Sequence, residues 1–410
     1  MFCDPMTDAS TPPAVRAAIA AGCFVAFVSF GFSATFGVFL RPMSEELGWG
    51  REVFALSLAL QAICWGITQP LAGMVADRYG SARVLAFGAV VAALGFALRG
   101  LVIDPTVFVL SGIVTGIGTG ACAFQVVTIA LGKVVAAERR SFIFGLGTAA
   151  ASTGMFLSAP LSVWLLMAIG WQAAIFVISA SFLLILPVLI FIARVSRPTA
   201  PATGADARFG AVIRAAFADR AYLLLFLGFF VCGFHVAFIQ THLPAYIADL
   251  GLAASLGALS LGLIGLFNIA GSFLSGWSGQ VYSKKKVLAG IYLARAGIIT
   301  LFILLPLTPA SVLVFSAAMG LLWLSTVPLT TGLVAQTQGV RYLSTLGGLI
   351  FFSHQIGAFL GAWLGGRIHD LTGDYTPMWW AAVALGLLAA VLHWPIRETP
   401  GPLALREAAT

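Results

Sequence analysis

The chain reads as a succession of long apolar runs separated by short polar breaks. Six runs fall at about residues 17–40, 53–76, 84–103, 106–132, 142–167 and 172–193. Each is about twenty residues or longer, the length an α-helix needs to cross a hydrocarbon layer. A different kind of segment follows: residues 194–220 hold Pro198, Pro201 and Gly204, then a mixed polar and apolar stretch from Arg208 to Arg220. That stretch fits an amphipathic helix lying along a membrane surface. Six further runs follow near 221–247, 255–280, 287–307, 309–334, 344–366 and 377–395. The pattern predicts an all-α membrane protein with twelve transmembrane helices in two six-helix bundles. The divisions are a tail at 1–15, a bundle at 16–194, a linker at 195–220, a bundle at 221–396 and a tail at 397–410. The first run is too long for a signal-peptide core and lacks a cleavage site, so it is retained as a helix. Prolines inside the runs (Pro70, Pro160, Pro187, Pro244, Pro328) are read as tolerated kinks.

Composition agrees. The chain is 60% hydrophobic and only 9% charged, with a mean hydropathy of +1.01, whereas soluble domains carry roughly a quarter charged residues. A water-soluble globule of ordinary kind is excluded. The net charge of +7 raises the question of nucleic acid, but its placement answers it. With the termini on one side, that side collects most of the Lys and Arg, including Arg78, Arg83, Arg139, Arg140, Arg194 and Lys284–Lys286. The other side has Arg41, Arg51, Arg99 and Arg367, leaving Arg295 within a run. By the positive-inside rule both termini lie in the cytoplasm of an inner-membrane, multi-pass protein, and no charge remains to argue for nucleic acid. Cys3, Cys23, Cys64, Cys122 and Cys232 show no metal-ligand spacing, so neither a metal, a cofactor nor a disulfide framework is expected. No paired buried carboxylates or Ser/His/Asp cluster suggests an enzyme.

One break stands out. Gly73–Arg83 reads Gly-Met-Val-Ala-Asp-Arg-Tyr-Gly-Ser-Ala-Arg, and a degraded copy lies at Gly276–Lys286. Its glycines permit a tight turn, and Asp77, Arg78 and Arg83 cannot stay in hydrocarbon. Repeats half a chain apart are typical of secondary transporters. This stretch resembles the loop signature between helices 2 and 3 of the major facilitator superfamily, and the resemblance covers nearly the whole chain. It implies a conformational lock of Gly73, Asp77, Arg78, Gly80 and Arg83. In it, Asp77 and Arg83 hold the cytoplasmic ends of the second and eleventh helices together in the outward-facing state, the carboxylate facing a helix N-terminus near Ser344. Within the superfamily, Thr35–Leu40 before Glu45-Glu46-Leu47-Gly48-Trp49, and Gly361–Gly373, resemble the monocarboxylate and oxalate:formate porter branch. There an arginine in helix 8 and a basic residue in helix 11 bind the carboxylate. Here Ser272 stands at the arginine position and His354 at the basic one.

Polar groups at mid-membrane depth are expensive and are therefore candidates for function. No Asp or Glu falls near the middle of a run; Asp104, Asp249 and Asp370 lie at run ends. Histidines remain. His235 and His354 sit near the middle of the seventh and eleventh runs, and an imidazole takes up a proton near neutral pH. The alternative for each is a neutral histidine hydrogen-bonded within the bundle. His242 points to a gate or surface position, and His369 to a solvated loop. Asn268, Gln240 and Gln355 either bind substrate or hold helices together. Arg295, about 12 Å into its run, either snorkels to the membrane surface or faces the cavity as a cation. Ser33, Phe36, Trp65, Gln125 and Trp323 complete the candidate substrate-binding set, with Phe30 and Gln61 beside them.

The expectation is a secondary active transporter of a small, monocarboxylate-like organic anion. It works by alternating access as a monomer in the lipid bilayer, with protons coupled through His354 or His235. The alternative is a carrier or exporter of a larger neutral or aromatic metabolite, such as a riboflavin-like vitamin or a drug.

Overall fold

The computed structural model describes residues 12–101, 104–123, 126–127, 140–195, 209–339, 343–401 and 403–405, with backbone alone at 74, 77, 78, 140–145, 209, 210 and 344. Among the described residues every regular element is a helix. The first bundle begins with α1 (Pro13–Thr35), which tightens into a 3₁₀ turn at Phe36–Phe39 and continues as Leu40–Leu47. It stops at Gly48, whose φ of 67° is a left-handed cap that suits glycine. Next come α2 (Arg51–Tyr79), α3 (Ser81–Leu101) and α4 (Pro105–Ala121). Asp104 caps α4 by accepting the Val107 N–H at 3.0 Å. The helical stretch Arg140–Leu183 turns back at Gly170, where φ is 77° and ψ is 167°. We call its two arms α5 and α6; α6 continues through Ile185–Val195.

The second bundle contains α7 (Arg220–Asp249), α8 (Ala254–Val281), α9 (Lys284–Leu304), α11 (Leu343–Thr372) and α12 (Thr376–His393). Between α9 and α11 lies α10, which is Pro309–Leu322 and Thr326–Gln338 separated by a break. The linker's amphipathic stretch forms a short helix, Phe209–Ala218, with Val212 and Ala216 buried. Among the described residues, ten helical stretches are long and apolar enough to cross a membrane. One of them, Leu146–Val195, doubles back at Gly170 and so crosses twice. The fourth run is represented by Pro105–Ala121, and most of its remainder lies outside the described residues.

Small residues let the helix backbones meet, as expected where lipid supplies no hydrophobic drive for helix pairing. Gly112, Gly116 and Gly120 of α4 lie against Ser57, Gln61 and Trp65 of α2. Gly357 and Gly361 of α11 lie against Phe230 and Phe234 of α7. The two bundles meet along two long seams, α2 with α11 and α5 with α8, and the 3₁₀ turn after α1 also packs on α7.

The α2–α11 seam is tight at one end only. A β-carbon on Gly366 would lie 2.7 Å from that of Ala55, and one on Gly66 would lie 2.8 Å from that of Gln355. On Gly348 the gap to the Pro70 β-carbon is 3.8 Å, and β-carbons on Gly73 and Gly347 would meet nothing within 4 Å among the described residues. The bundles therefore part toward the face where α1 begins and α12 ends.

Gly112→Leu tests the close packing, because its side chain would collide with the Ser57 carbonyl. It is expected to lower stability by about 1–3 kcal/mol, read as an earlier thermal unfolding midpoint in detergent; an unchanged midpoint would contradict this.

Candidate functional site

A cavity lies between the bundles, and helical register explains its lining. From α1 it takes Phe30, Ser33, Ala34 and Gly37; from α2 Leu58, Gln61, Ala62 and Trp65; from α11 Phe351, His354, Gln355 and Ala358. The spacing i, i+3, i+4, i+7 places each set on one helix face. α7 adds Phe229, Val236, Gln240 and Thr241, and Leu324 and Val327 come from beside the α10 break. The cavity holds about 130 Å³.

His354 is the one ionisable residue among these lining residues. Its Nδ1 lies 2.9 Å from Gln355 Oε1. The Gln355 amide is oriented from its other end, where Nε2 donates to the Ala62 carbonyl across the bundles at 3.1 Å. Nδ1 is therefore the protonated nitrogen, since Oε1 can only accept. The ring stacks on Phe351 at 5.5 Å with 7° between planes, and Phe229 lies 5.2 Å away. Such faces favour a cation over a bare hydrocarbon wall. Four polar atoms of the lining are buried without a hydrogen-bond partner: Ser33 Oγ, Gln61 Oε1, Trp65 Nε1 and Gln240 Nε2.

Of the candidates from the sequence, the fold brings Ser33, Trp65, Gln240, His354 and Gln355 to the cavity. Gln125 lies outside the described residues. The others are elsewhere. His235 is fully buried and its Nε2 donates to the Ala382 carbonyl of α12 at 2.8 Å. Phe36 stacks on Phe54 in the first bundle and meets Phe96 edge-on, under the guanidinium of Arg99 at 4.9 Å.

Asn268 bridges three helices: Nδ2 donates to Ser152 of α5 at 2.9 Å, and Oδ1 accepts the Leu324 N–H at 2.9 Å. Arg295 does not snorkel to the surface. It is fully buried, and its Nη2 donates to the carbonyls of Leu322, at 2.7 Å, and Trp323. The cause is the α10 break, which frees carbonyls that no helical N–H can reach; Trp323 is buried at the same break. Of the lock residues, the Asp77 and Arg78 side chains are outside the described set. Gly80 ends α2 with φ 91°, and Arg83 donates to the Tyr79 carbonyl at 3.2 Å.

The sequence reading missed the seal at the tight end. Arg51, at the start of α2, grips Asp249 at the end of α7 through two bonds of 2.5 and 2.6 Å. Asp370 of α11 accepts the backbone N–H groups of Arg51 at 3.0 Å and Glu52 at 2.8 Å. A carboxylate from one bundle thus caps a helix of the other, where the helix dipole favours it. Glu52 in turn accepts from Trp363 and Arg367, both at 2.9 Å.

Arg51 also donates to Tyr375 Oη at 3.0 Å, and Tyr375 meets His242 Nδ1 at 3.2 Å. Because His242 Nε2 must donate to the Ala362 carbonyl at 2.7 Å, Nδ1 is left to accept from the tyrosine. Burial raises the Tyr375 hydroxyl above the usual phenol range, which keeps that proton in place. His369, expected to be solvated, instead sits 3.8 Å from Asp249 and 3.7 Å from Asp370. The available signal was a set of charges at three separate run ends, which pair only when the bundles close.

Two bundles around a cavity, joined by ion pairs at one end and parted at the other, define a polytopic membrane carrier. Residues 22–362 match the Major Facilitator Superfamily, and the chain belongs to that family. It is similar to the uncharacterized MFS-type transporter YcxA of Bacillus subtilis (strain 168), at 25% identity over 88% of this chain and 90% of that one. It is also similar to monocarboxylate transporter 13 of Bos taurus, at 24% identity over 90% and 88%. Among solved structures it shares the fold of a D-xylose–proton symporter, with a TM-score of 0.71, 17% identity and coverage of 94% and 97%. These relatives are transporters, and this chain is a transporter rather than an enzyme.

Asp249→Ala is expected to weaken the seal. A cysteine placed at Ser33, with the native cysteines replaced, should react severalfold faster with a membrane-impermeant thiol reagent supplied from the Arg51 side. Equal labelling in the two proteins would show that the ion pair does not hold the bundles together.

Proposed function

We propose that this transporter carries a small monocarboxylate-like anion together with a proton by alternating access, and that His354 is where both meet. The observation that carries this reading is the chemistry of the lining: among its described residues His354 is the one that can ionise, and no carboxylate accompanies it. A cationic substrate would have no counter-charge there. A carboxylate would find an imidazolium flanked by two aromatic faces as soon as His354 takes up a second proton. The groups around that ring are Gln355, Phe229 and Phe351, with the Cys232 thiol of α7 adjacent. Arg295 and His235 lie behind Cys232.

The kinship with a monocarboxylate transporter supports the substrate class. The Lys and Arg asymmetry places both termini in the cytoplasm of the inner membrane, which makes the sealed end the outer one and this conformation inward-facing. The carrier works as a monomer, because each chain holds both bundles of the site.

The test is uptake of labelled benzoate or lactate into proteoliposomes as a function of pH. Protonated His354 is the binding form, so uptake should rise as pH falls. His354→Gln should be slow and nearly flat with pH. A His354→Gln protein with the rate and pH profile of the wild type would remove His354 from the mechanism.

A further inference from the structure

His369 stands between two carboxylates of the seal and bonds to neither. Its Nε2 is 3.8 Å from Asp249 Oδ2 and its Nδ1 is 3.7 Å from Asp370 Oδ1, both beyond hydrogen-bond length. Nδ1 is buried without a hydrogen-bond partner. The two oxygens are already taken. Asp249 Oδ2 accepts from Arg51 Nη1 at 2.5 Å, and Asp370 Oδ1 accepts the Arg51 backbone N–H at 3.0 Å. Two of the bonds that tie Arg51 to the second bundle thus end on the atoms nearest the imidazole.

A neutral imidazole cannot compete for those atoms. It has one N–H, and its other nitrogen turns a lone pair toward a carboxylate. An imidazolium donates from both nitrogens, and a shift of about 1 Å would bring it to the roughly 2.8 Å of a charge-assisted bond. His369, Asp249 and Asp370 all belong to the second bundle, whereas Arg51 belongs to the first. Bonds from the imidazolium would therefore replace contacts between the bundles by contacts within one. The new charge also faces the Arg51 guanidinium. Tyr375 keeps the two close: its ring meets the imidazole at 4.7 Å, and its hydroxyl accepts from Arg51 at 3.0 Å.

The other titratable groups nearby are engaged elsewhere. Glu52 of α2 pairs with Arg367 of α11 at 2.9 Å. His242 of α7 faces the ring, but its Nε2 is held by the Ala362 carbonyl and its Nδ1 by the Tyr375 hydroxyl. Asp374, in the turn before α12, lies toward Tyr246. Water reaches the ring and its two carboxylates, whose side chains are 19%, 28% and 26% exposed.

We propose that His369 is a second proton site, separate from His354, and that it releases the seal. Protonated from the water on the Arg51 side, it draws Asp249 and Asp370 away from Arg51 and lets the bundles part at that end. Acid on that side thus opens the cavity toward it. The proposal rests on the geometry of the seal and not on the identity of the substrate.

The experiment uses the full chain in proteoliposomes, carrying Ser33→Cys with the native cysteines replaced. Labelling by a membrane-impermeant thiol reagent from the Arg51 side is divided, at each pH, by the reagent's rate with glutathione. As pH on that side falls from about 8 to about 5.5, across the imidazole range but above that of ordinary carboxylates, the ratio should rise severalfold. In His369→Gln it should stay flat at the alkaline value. In His369→Lys, which is charged throughout, it should stay near the acid value. His354→Gln should leave the rise intact.

A ratio that is flat in the parent protein overturns the proposal, and a ratio that falls with acid means that the imidazolium reinforces the seal instead. A rise that persists in His369→Gln, or that disappears with His354→Gln, overturns it as well. No substrate is needed for this measurement. If no carboxylate is taken up but the His369-dependent rise is present, the anion reading fails and this inference stands.

Discussion

Hydrocarbon offers no partner to a hydrogen-bonding group, and every polar atom of this protein is placed under that constraint. The consequence is a sorting of polar side chains by what they can find. Arg295 finds the carbonyls that the α10 break sets free, and Asn268 finds the N–H of Leu324 and the hydroxyl of Ser152. His235 and His242 each give one ring proton to a carbonyl of a neighbouring helix. Some groups are left over by this sorting: Ser33, Gln61, Trp65 and Gln240 on the cavity wall have atoms without a protein partner, and so do Arg99, Ser158 and Ser162 inside the first bundle.

The same constraint explains why the seal is built as it is. Arg51, Glu52, Asp249 and Asp370 occur at helix ends, where charge is cheapest, and they meet only because α2, α7 and α11 converge there. The pairs are partly exposed, so each is individually modest and open to water. A gate needs that: contacts strong together, yet separable when the bundles rock apart. His242 and Tyr375 extend the network from the seal into the second bundle, next to the Ala362 carbonyl that borders the cavity.

Much of this was legible in the sequence. Apolar runs of membrane-spanning length predicted the helices and the break between bundles, and the Gly73–Arg83 signature with its second copy predicted the family. His354, Trp65, Ser33, Gln240 and Gln355 were found by asking which polar residues fall at half depth, and all line the cavity. Depth alone could not tell which way a side chain points. His235 and Asn268 have the depth of His354 but the opposite heading, because helical register, not distance along the run, decides the face. Arg295 illustrates a second limit. Its partners are carbonyls freed by a break one helix away, and nothing near Arg295 in the chain announces them. The seal shows a third limit, since its charges come from the ends of three runs and acquire meaning only through long-range packing.

In the proposed mechanism one cavity imidazole, that of His354, takes a proton and an anion together. The most direct test is the ratio of protons to benzoate entering wild-type proteoliposomes, read with a trapped pH indicator alongside labelled uptake. A ratio of one, unaffected by membrane potential, is what one imidazole and one carboxylate require. Benzoate entry without proton movement, or entry that carries net charge, would contradict the account.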